Sequence, residues 1–445
     1  MNSIFKIILI FVFFSNCSFH SKSKFWNEEK LDEEVILKTL DINTKENPLN
    51  LEFNPTLNIN LYSKAVNKSF FNNNTNNNGR INFDATFTKK SKFKFSRIKN
   101  FYKFEPEIII NNNDVIFFDD KGAILKFNEK SDLIWKKNFY TKAEKKIKPI
   151  LQLASNNKIL IVADNISKYY ALDIETGELN WSHYNNSPFN SQIKIYKDKF
   201  FIIDSENILR CYSLKSGEEI WKQKTNKTFI QSQKKLSIAI NNGKVFFSNT
   251  LGEISAVEID NGNLVWQSST ENNMIVDNSF SLKTSDLVIN NNSIFVSNNR
   301  NKFFSLDINT GIINWEQKIN THLRSTIIND FIFSVSLNGY LIIIDTKNGN
   351  IIRATNIFSS MNLKNRKNLI TGKPIKNNKF FEPVGFIVGI ENIYITTSNG
   401  KLLIVDIKTG KTQSVIKIDN NKLSKPFVMN KDLFLVTDNS IIKLN

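Results

Sequence analysis

Three histidines, two cysteines and one recurring acidic position are the residues here whose types could carry chemistry. His20, His183 and His322 lie far apart, and none begins an H-x-H or H-x-x-x-H pair. A histidine-based metal site needs clustered ligands, so this spacing points to no metal. The glycine-centred signatures of serine hydrolases, phosphate loops and dinucleotide sites are absent. The acidic position falls four residues before a glycine: Asp173, Asp307, Asp345 and Asp406, with Glu258 in another copy. An Asp at a strand end can accept hydrogen bonds from the amides of the turn that follows, so these carboxylates read as turn caps. No catalytic, cofactor-binding or metal-binding residue is assigned.

The two cysteines have different settings. "MNSIFKIILIFVFFSNC" carries one Lys, an apolar run Ile7–Phe14, and then small or polar residues before Cys17. This is the layout of a signal peptide, too short for a membrane span. Cys17 stands where bacterial lipoproteins are acylated, and "FSNC" is similar to a lipobox. Residues 1–17 are therefore expected to be a signal peptide, with Cys17 lipidated so that acyl chains hold a soluble domain at a membrane. The alternative is a plain secretory signal and a soluble periplasmic protein. Cys211 then lacks a partner for an intramolecular disulfide and reads as a small core residue.

The elements that would position any site come from a repeat. "ALDIETGELNW" (171–181) returns as "YSLKSGEEIW" (212–221), "AVEIDNGNLVW" (256–266) and "SLDINTGIINW" (305–315). A weaker copy, "KFNEKSDLIW", has Ser131 in the glycine place, and two later copies around Gly349 and Gly410 lack the Trp. In each copy a β-prone run meets a polar turn, where Gly permits a tight reversal, and a return strand follows. Upstream of each copy lies another short strand ending at Asn, Gly or Asp. Four short strands per 40–50 residues predict a propeller blade. Trp135, Trp181, Trp221, Trp266 and Trp315 then act as structural packing between blades, since one hairpin cannot cover so large a side chain.

The chain ends "DLFLVTDNSIIKLN", which has inner strands but no return strand. An all-β, eight-bladed propeller results if the missing strand comes from the N-terminal side, around Lys92–Lys99, because a ring leaves no unpaired edge. The alternative is seven blades and a stray strand. Residues 18–90, polar and Asn-rich, read as a tether to about Asn60 and a packed but irregular lead-in beyond it; the propeller takes 91–445. A polar, basic insertion at 362–379 interrupts the late blades. The net charge of +17 is spread thinly along the chain rather than gathered into a stripe, and its Lys- and Asn-rich background is that of an AT-rich genome. No nucleic-acid motif accompanies it, so nucleic acid is not an expected partner.

The phrase "ALDIETGELNW" resembles the blade repeat of pyrroloquinoline-quinone-type propellers. Two groups use that blade: quinone- and calcium-dependent dehydrogenases, and the BamB family of lipoproteins of the outer-membrane β-barrel assembly machinery. The resemblance covers about residues 92–445. The chain's length, its lack of vicinal cysteines, and the stretches "GEISAVEIDNGNLVW" and "PVGFIVGIENIYITTSNGKLLIVDIKTGK" favour the BamB family. That resemblance implies a non-enzymatic, cofactor-free, monomeric scaffold. It would be lipid-anchored at the periplasmic face of the outer membrane, docked on the periplasmic POTRA domains of a BamA-type barrel protein with the other assembly subunits, and would assist folding of outer-membrane proteins. A dehydrogenase-like protein and a generic periplasmic binding module are the alternatives. The family's docking loops correspond here to Phe229–Lys235 and Asn278–Lys283, which nominates Phe229, Ile230, Gln231, Gln233, Lys234, Lys235, Ser281 and Lys283 as partner-binding. The acidic pair of the family's loops has no counterpart in this sequence. "FIQSQKK" could add to a partner's strand edge, or be simply the outer strand of its own blade.

Overall fold

The computed structural model describes residues 51–66, 74–84, 87, 90–104, 107–226, 234–271, 281–359 and 382–445. Among them, eight four-stranded antiparallel sheets form a β-propeller. Blade 1 runs outward from the axis through Ile109–Asn111, Asp114–Phe118, Ile124–Phe127 and Leu133–Lys137. Blades 2 to 7 repeat this order, with innermost strands Leu151–Ser155, Lys194–Tyr196, Ile238–Asn241, Val288–Asn290, Thr326–Ile328 and Pro383–Val388. Blade 8 joins the two ends of the propeller. Phe427–Met429, Asp432–Val436 and Ser440–Leu444 are completed on the outside by Lys90–Lys94, with Lys90 opposite Leu444 and Lys94 opposite Ser440. The ring thus closes from the N-terminal side, as the unpaired last repeat requires.

Local chemistry explains the hairpins. The two-residue turns between first and second strands begin with Asn112, Asn242, Asn291, Asn329 and Asn430, all at positive φ. Asn tolerates this conformation better than other residues with a side chain, and such turns match the twist of paired strands. Part of the asparagine content therefore has a conformational use. At the outer hairpins, Asp173, Asp307, Asp345 and Asp406 each accept from the amide three residues on, at 2.8, 2.9, 3.1 and 2.6 Å. They are turn caps. Glu258 has only a backbone role in its turn, where its carbonyl accepts from the Gly262 amide.

The Gly-to-Trp spacing is an inter-blade staple. Each Trp lies against the turn glycine of the following blade: Trp135 on Gly177, Trp181 on Gly217, Trp221 on Gly262, Trp266 on Gly311 and Trp315 on Gly349. Four of the indoles also donate to the carbonyl that follows the turn-capping position of the next blade, at Leu214, Ile259, Ile308 and Thr346. In blade 1, Lys126 Nζ takes the equivalent Ile174 carbonyl, and Trp135 Nε1 has no partner among the described residues. A β-bulge precedes each Trp on its return strand, so Leu179 pairs with Leu172 and Trp181 with Ala171. The bulge turns the indole towards the neighbouring blade and leaves Leu179, Ile220, Leu264 and Ile313 exposed.

Two glycines with the same φ of +72° separate backbone strain from packing. A Cβ on Gly243 would meet nothing, whereas one on Gly311 would overlap the Trp266 ring. Gly243→Ala is expected to cost about 1 kcal/mol, from φ alone, and Gly311→Ala about 3 kcal/mol, since the indole must also move. Urea unfolding of the two variants measures the difference; equal losses would mean that the staple yields freely.

Among the described residues, the segment ahead of the propeller bonds to it from Glu52 onward, within the stretch read as a tether. Phe53 exchanges two backbone hydrogen bonds with Ala354 in blade 6, and Arg80 donates to the carbonyls of Leu61, Ser63 and Ile390. Between them, Asn74–Asn77 lie along the exposed edges of the innermost strands. The carbonyls of Asn74 and Thr75 accept from the amides of Ile240 and Ile289, and Asn77 bonds both backbone groups of Ile327 through its side chain. Ile81 N then donates to Val388 O. One segment so satisfies edge groups of blades 4, 5, 6 and 7 that would otherwise be stranded near the axis.

Candidate functional site at the channel mouth

In five blades a polar or charged residue stands two positions before the innermost strand: Glu107, Gln192, Asp286, Arg324 and Lys425. The closed ring brings four of these together. Lys425 Nζ lies 3.3 Å from Glu107 and 3.6 Å from Asp286, and Arg324 is 2.6 Å from Asp286. Lys235, which leads into blade 4, pairs with Glu107 at 2.8 Å. Lys194, the first residue of the blade 3 inner strand, is 1% exposed and reaches Asn76 Oδ1 at 2.6 Å.

Burial alone would push the carboxyl of Glu107 up, but Lys235, Lys425 and Arg324 override it and hold the group down at about 2. Asp286 is likewise held well below the carboxylate range against the effect of burial, mainly by Arg324 and Lys425. The cost falls on the cations. Burial, reinforced by Arg324 and Lys235, lowers Lys194 to about 7 despite the opposing pull of Glu107 and Asp286, and burial lowers Lys235 as well.

The Lys194 shift has a testable sign. Between pH 7 and about 9.5 the unfolded chain keeps a proton on Lys194 that the folded chain has lost, so stability rises with pH across this window. Above about 10, Tyr170 and Tyr212, both raised by burial, reverse the trend because only the unfolded chain then sheds their protons. Unfolding midpoints at pH 7.0 and 9.0 should differ in that direction, and Lys194→Met should flatten the slope. A wild-type slope that survives in Lys194→Met would assign it to other groups.

A cavity of about 370 Å³ opens over this cluster. Its walls come from blades 2, 4 and 7, through Gln152, Lys235 and Pro383, so it lies on the axis. Lys103, Lys234, Lys283 and Lys422 also line it, and Glu382 is the one carboxylate among its described lining residues.

The nominated partner-binding residues fall in different places. Phe229, Ile230, Gln231 and Gln233 lie outside the described residues, as do Cys17, His20 and the insertion at 362–379. Lys234 and Lys235 are buried at 7% and 9% exposure, with Lys234 Nζ donating to the His322 carbonyl, and they lead into an innermost strand rather than an outer one. Ser281 is exposed, its carbonyl accepting from Asn299, while Lys283 lines the cavity. Lys234, Lys235 and Lys283 therefore share one cavity. His183 bonds Ser216 O at 2.9 Å and packs on Trp181 and Tyr169. Among the described residues no three His, Cys, Asp or Glu side chains converge as a metal site. Cys211 is fully buried, and burial pushes its thiol up to about 12.

The ring of charges at the mouth was missed in the sequence. Its signal was there: one polar residue two places ahead of an apolar strand, in blade after blade.

Eight blades, five of whose junctions are stapled by Gly–Trp contacts, define the class, a PQQ-type β-propeller. A family model described as outer membrane protein assembly factor BamB matches residues 120–355, over half of the chain, and the chain belongs to that family. Its fold is similar to the crystal structure of BamB from Moraxella catarrhalis, with a TM-score of 0.61 at 14% identity, covering 80% of this chain and 100% of that one. It is also similar to the computationally designed Ika8 protein, with a TM-score of 0.56 at 10% identity, covering 79% of this chain and 99% of that one. No curated protein matches by sequence.

Proposed function

We propose that this protein is a non-enzymatic scaffold of the outer-membrane β-barrel assembly machinery. It is held at the periplasmic face of the outer membrane by acyl chains on Cys17 and docked on the POTRA domains of a BamA-type barrel protein. The observation that carries this reading is the match of the BamB family model to residues 120–355, the stretch that holds all five Gly–Trp staples. A rigid ring with loops at both ends suits a platform on which other chains are aligned.

The partner-facing residues need care. Reversing Lys234 or Lys235 would break a buried charge cluster as well as any interface, so a loss of binding in such variants would not locate the contact. Ser281 at the exposed end of its loop is the cleaner probe, together with the nominated residues Phe229, Ile230, Gln231 and Gln233.

The test is affinity capture. Tagged mature protein is incubated with detergent-solubilised envelope of its own organism, and bound proteins are identified by mass spectrometry. Recovery of the BamA-type barrel protein supports the reading. Its absence, under conditions that retain the other assembly subunits on that barrel protein, overturns it, as would stoichiometric quinone and calcium binding with dye-linked oxidation. Release of a Cys17→Ser variant from the membrane fraction tests the anchor separately.

A further inference from the structure

We propose that the outer edge of blade 2, the strand Leu179–Tyr184, takes up an extended segment of another polypeptide, apolar at alternate positions, as an added strand. The inference stands on the sheet edges of the propeller and is independent of the assembly role.

The precedent lies in blade 6, where the chain seats an extended segment of its own on the equivalent edge. The outer strand there is Ile351–Asn356. Phe53 exchanges two backbone hydrogen bonds with Ala354, Glu52 Oε1 accepts from the Asn356 amide, and Asn54 Nδ2 donates to the Ile352 carbonyl. The outward backbone groups of Ile352, Ala354 and Asn356 are so met in turn. Blade 2 has the same register, since Trp181 pairs with Ala171 as Arg353 pairs with Ile343. Ser182 therefore stands in the place of Ala354, and Asn180 and Tyr184 in those of Ile352 and Asn356. The outward groups are the Asn180 carbonyl, the amide and carbonyl of Ser182, and the Tyr184 amide. Among the described residues none of them has a hydrogen-bond partner.

Charge separates this edge from most of the others. Exposed edge strands are commonly guarded against strand addition by charged side chains. Lys136 in blade 1, Lys222 in blade 3, Glu316 in blade 5, Lys417 in blade 7 and Lys94 in blade 8 are exposed on outer strands and serve in that way. The outer strands of blades 2, 4 and 6 carry no exposed charge. Blade 6 is the one that its own chain covers, and Ile351 and Ile352 are half-buried there. In blade 2 the corresponding Leu179 and Asn180 are exposed, and Tyr184 at the far end of the strand is 61% exposed. Blade 4 shares the pattern, but residues 272–280 beyond its outer strand lie outside the described residues. Blade 2 falls within the unbroken described stretch 107–226, so it carries the proposal.

The edge selects an extended backbone. Its outward groups fall on alternate residues, a spacing that only another strand matches along its length. An added residue opposite Tyr184 would lie against that exposed side chain, and the residue two places on, opposite Ser182, would share its face. Apolar side chains at alternate positions suit that face, as Phe53 does opposite Ala354.

The experiment uses the full mature protein and an end-blocked peptide of alternating Val and Thr, with a Lys at each end for solubility. Fluorescence anisotropy of the labelled peptide gives the affinity, and amide hydrogen exchange gives the place. Saturable binding is expected, with exchange at the Ser182 and Tyr184 amides slowed about tenfold or more at saturation. Ser182→Pro removes an amide that points out of the blade, so the bonds to the neighbouring strand stay in place while the added strand loses its donor. Affinity should fall about tenfold in this variant, with the wild-type circular dichroism spectrum kept. Asn180→Lys supplies the charge that the guarded edges carry and leaves the backbone untouched, so it decides the matter if proline disturbs the strand; it too should weaken the peptide. Absence of saturable binding would overturn the proposal, as would binding that leaves exchange at Ser182 and Tyr184 unchanged, or an affinity that Asn180→Lys does not alter.

Discussion

Arg353→Ala is expected to lower the folding free energy by about 4 kcal/mol. Arg353 takes the place of the missing Trp in blade 6 and performs the same task with different atoms. It is fully buried and lies against Gly410 of blade 7, where each Trp lies against the turn glycine of the blade after its own. Its guanidinium donates to Ile407 O at 2.9 Å, the carbonyl equivalent to those taken by four of the indoles, and also to Lys408 O and to Leu57 O in the lead-in. Alanine would leave a cavity between two blades and three carbonyls without their donor. Relief from burying a cation and its partnerless Nε works in the other direction, since burial lowers Arg353 to about 10, but it is outweighed by the three hydrogen bonds that the other two nitrogens donate. Arg353→Trp should recover part of the loss by restoring the stack and the bond to Ile407 O. It cannot reach Leu57 O, so recovery stays incomplete. Urea unfolding read by circular dichroism gives both values. A loss under about 1 kcal/mol for alanine would mean that blades 6 and 7 hold together without this staple.

This substitution also shows what a sequence can and cannot display. The phrase spacing revealed the blades, because Gly and Trp are rare residues with strict demands: one turn at positive φ, one large surface to cover. The ring closure followed, since the last repeat lacked its outer strand and a propeller cannot leave it open. Arg353 occupied the Trp place in plain view, yet its equivalence became visible only with the Ile407 carbonyl beside it. Exposed Leu179 and Ile220 were hidden by the bulge, which breaks the alternation a strand would otherwise keep. The charged mouth was hidden for a different reason. Glu107 and Lys235 are neighbours only after the ring has closed, and local composition around "FIQSQKK" gives Lys235 the look of a surface lysine. Its charge is met by a carboxylate that leads into a blade three places earlier in the ring and lies far upstream in sequence. Sites built on an axis of rotation draw one residue from each repeat, and no single stretch of sequence carries them.

The second large effect concerns the Asn-rich segment at Asn74–Asn77, which reads in the sequence as a packed but irregular lead-in and is fitted against the innermost strands. Asn76→Leu should cost about 3 kcal/mol. Asn76 is fully buried, and its side-chain amide donates to Ile238 O at 3.0 Å and Leu287 O at 2.8 Å, joining the inner edges of blades 4 and 5. Its oxygen accepts from Lys194 Nζ at 2.6 Å. Leucine has similar bulk, so packing is largely kept and the loss isolates the polar contacts. It removes the side-chain donor of two carbonyls and one acceptor of an ammonium group. The ammonium has an escape that the carbonyls lack, for it can release its proton. Lys194 already sits at about 7, and without Asn76 it should fall further, so that the rise of stability with pH begins below 7 instead of at it. Two measurements therefore test one contact: the unfolding free energy at pH 7, and the pH at which stability starts to climb. A loss near 3 kcal/mol with that onset moved to lower pH would fix Asn76 as the partner that keeps Lys194 charged. A loss with the onset unmoved would assign the whole effect to the two carbonyls, and the Lys194 contact would then contribute nothing to the charge state at the mouth.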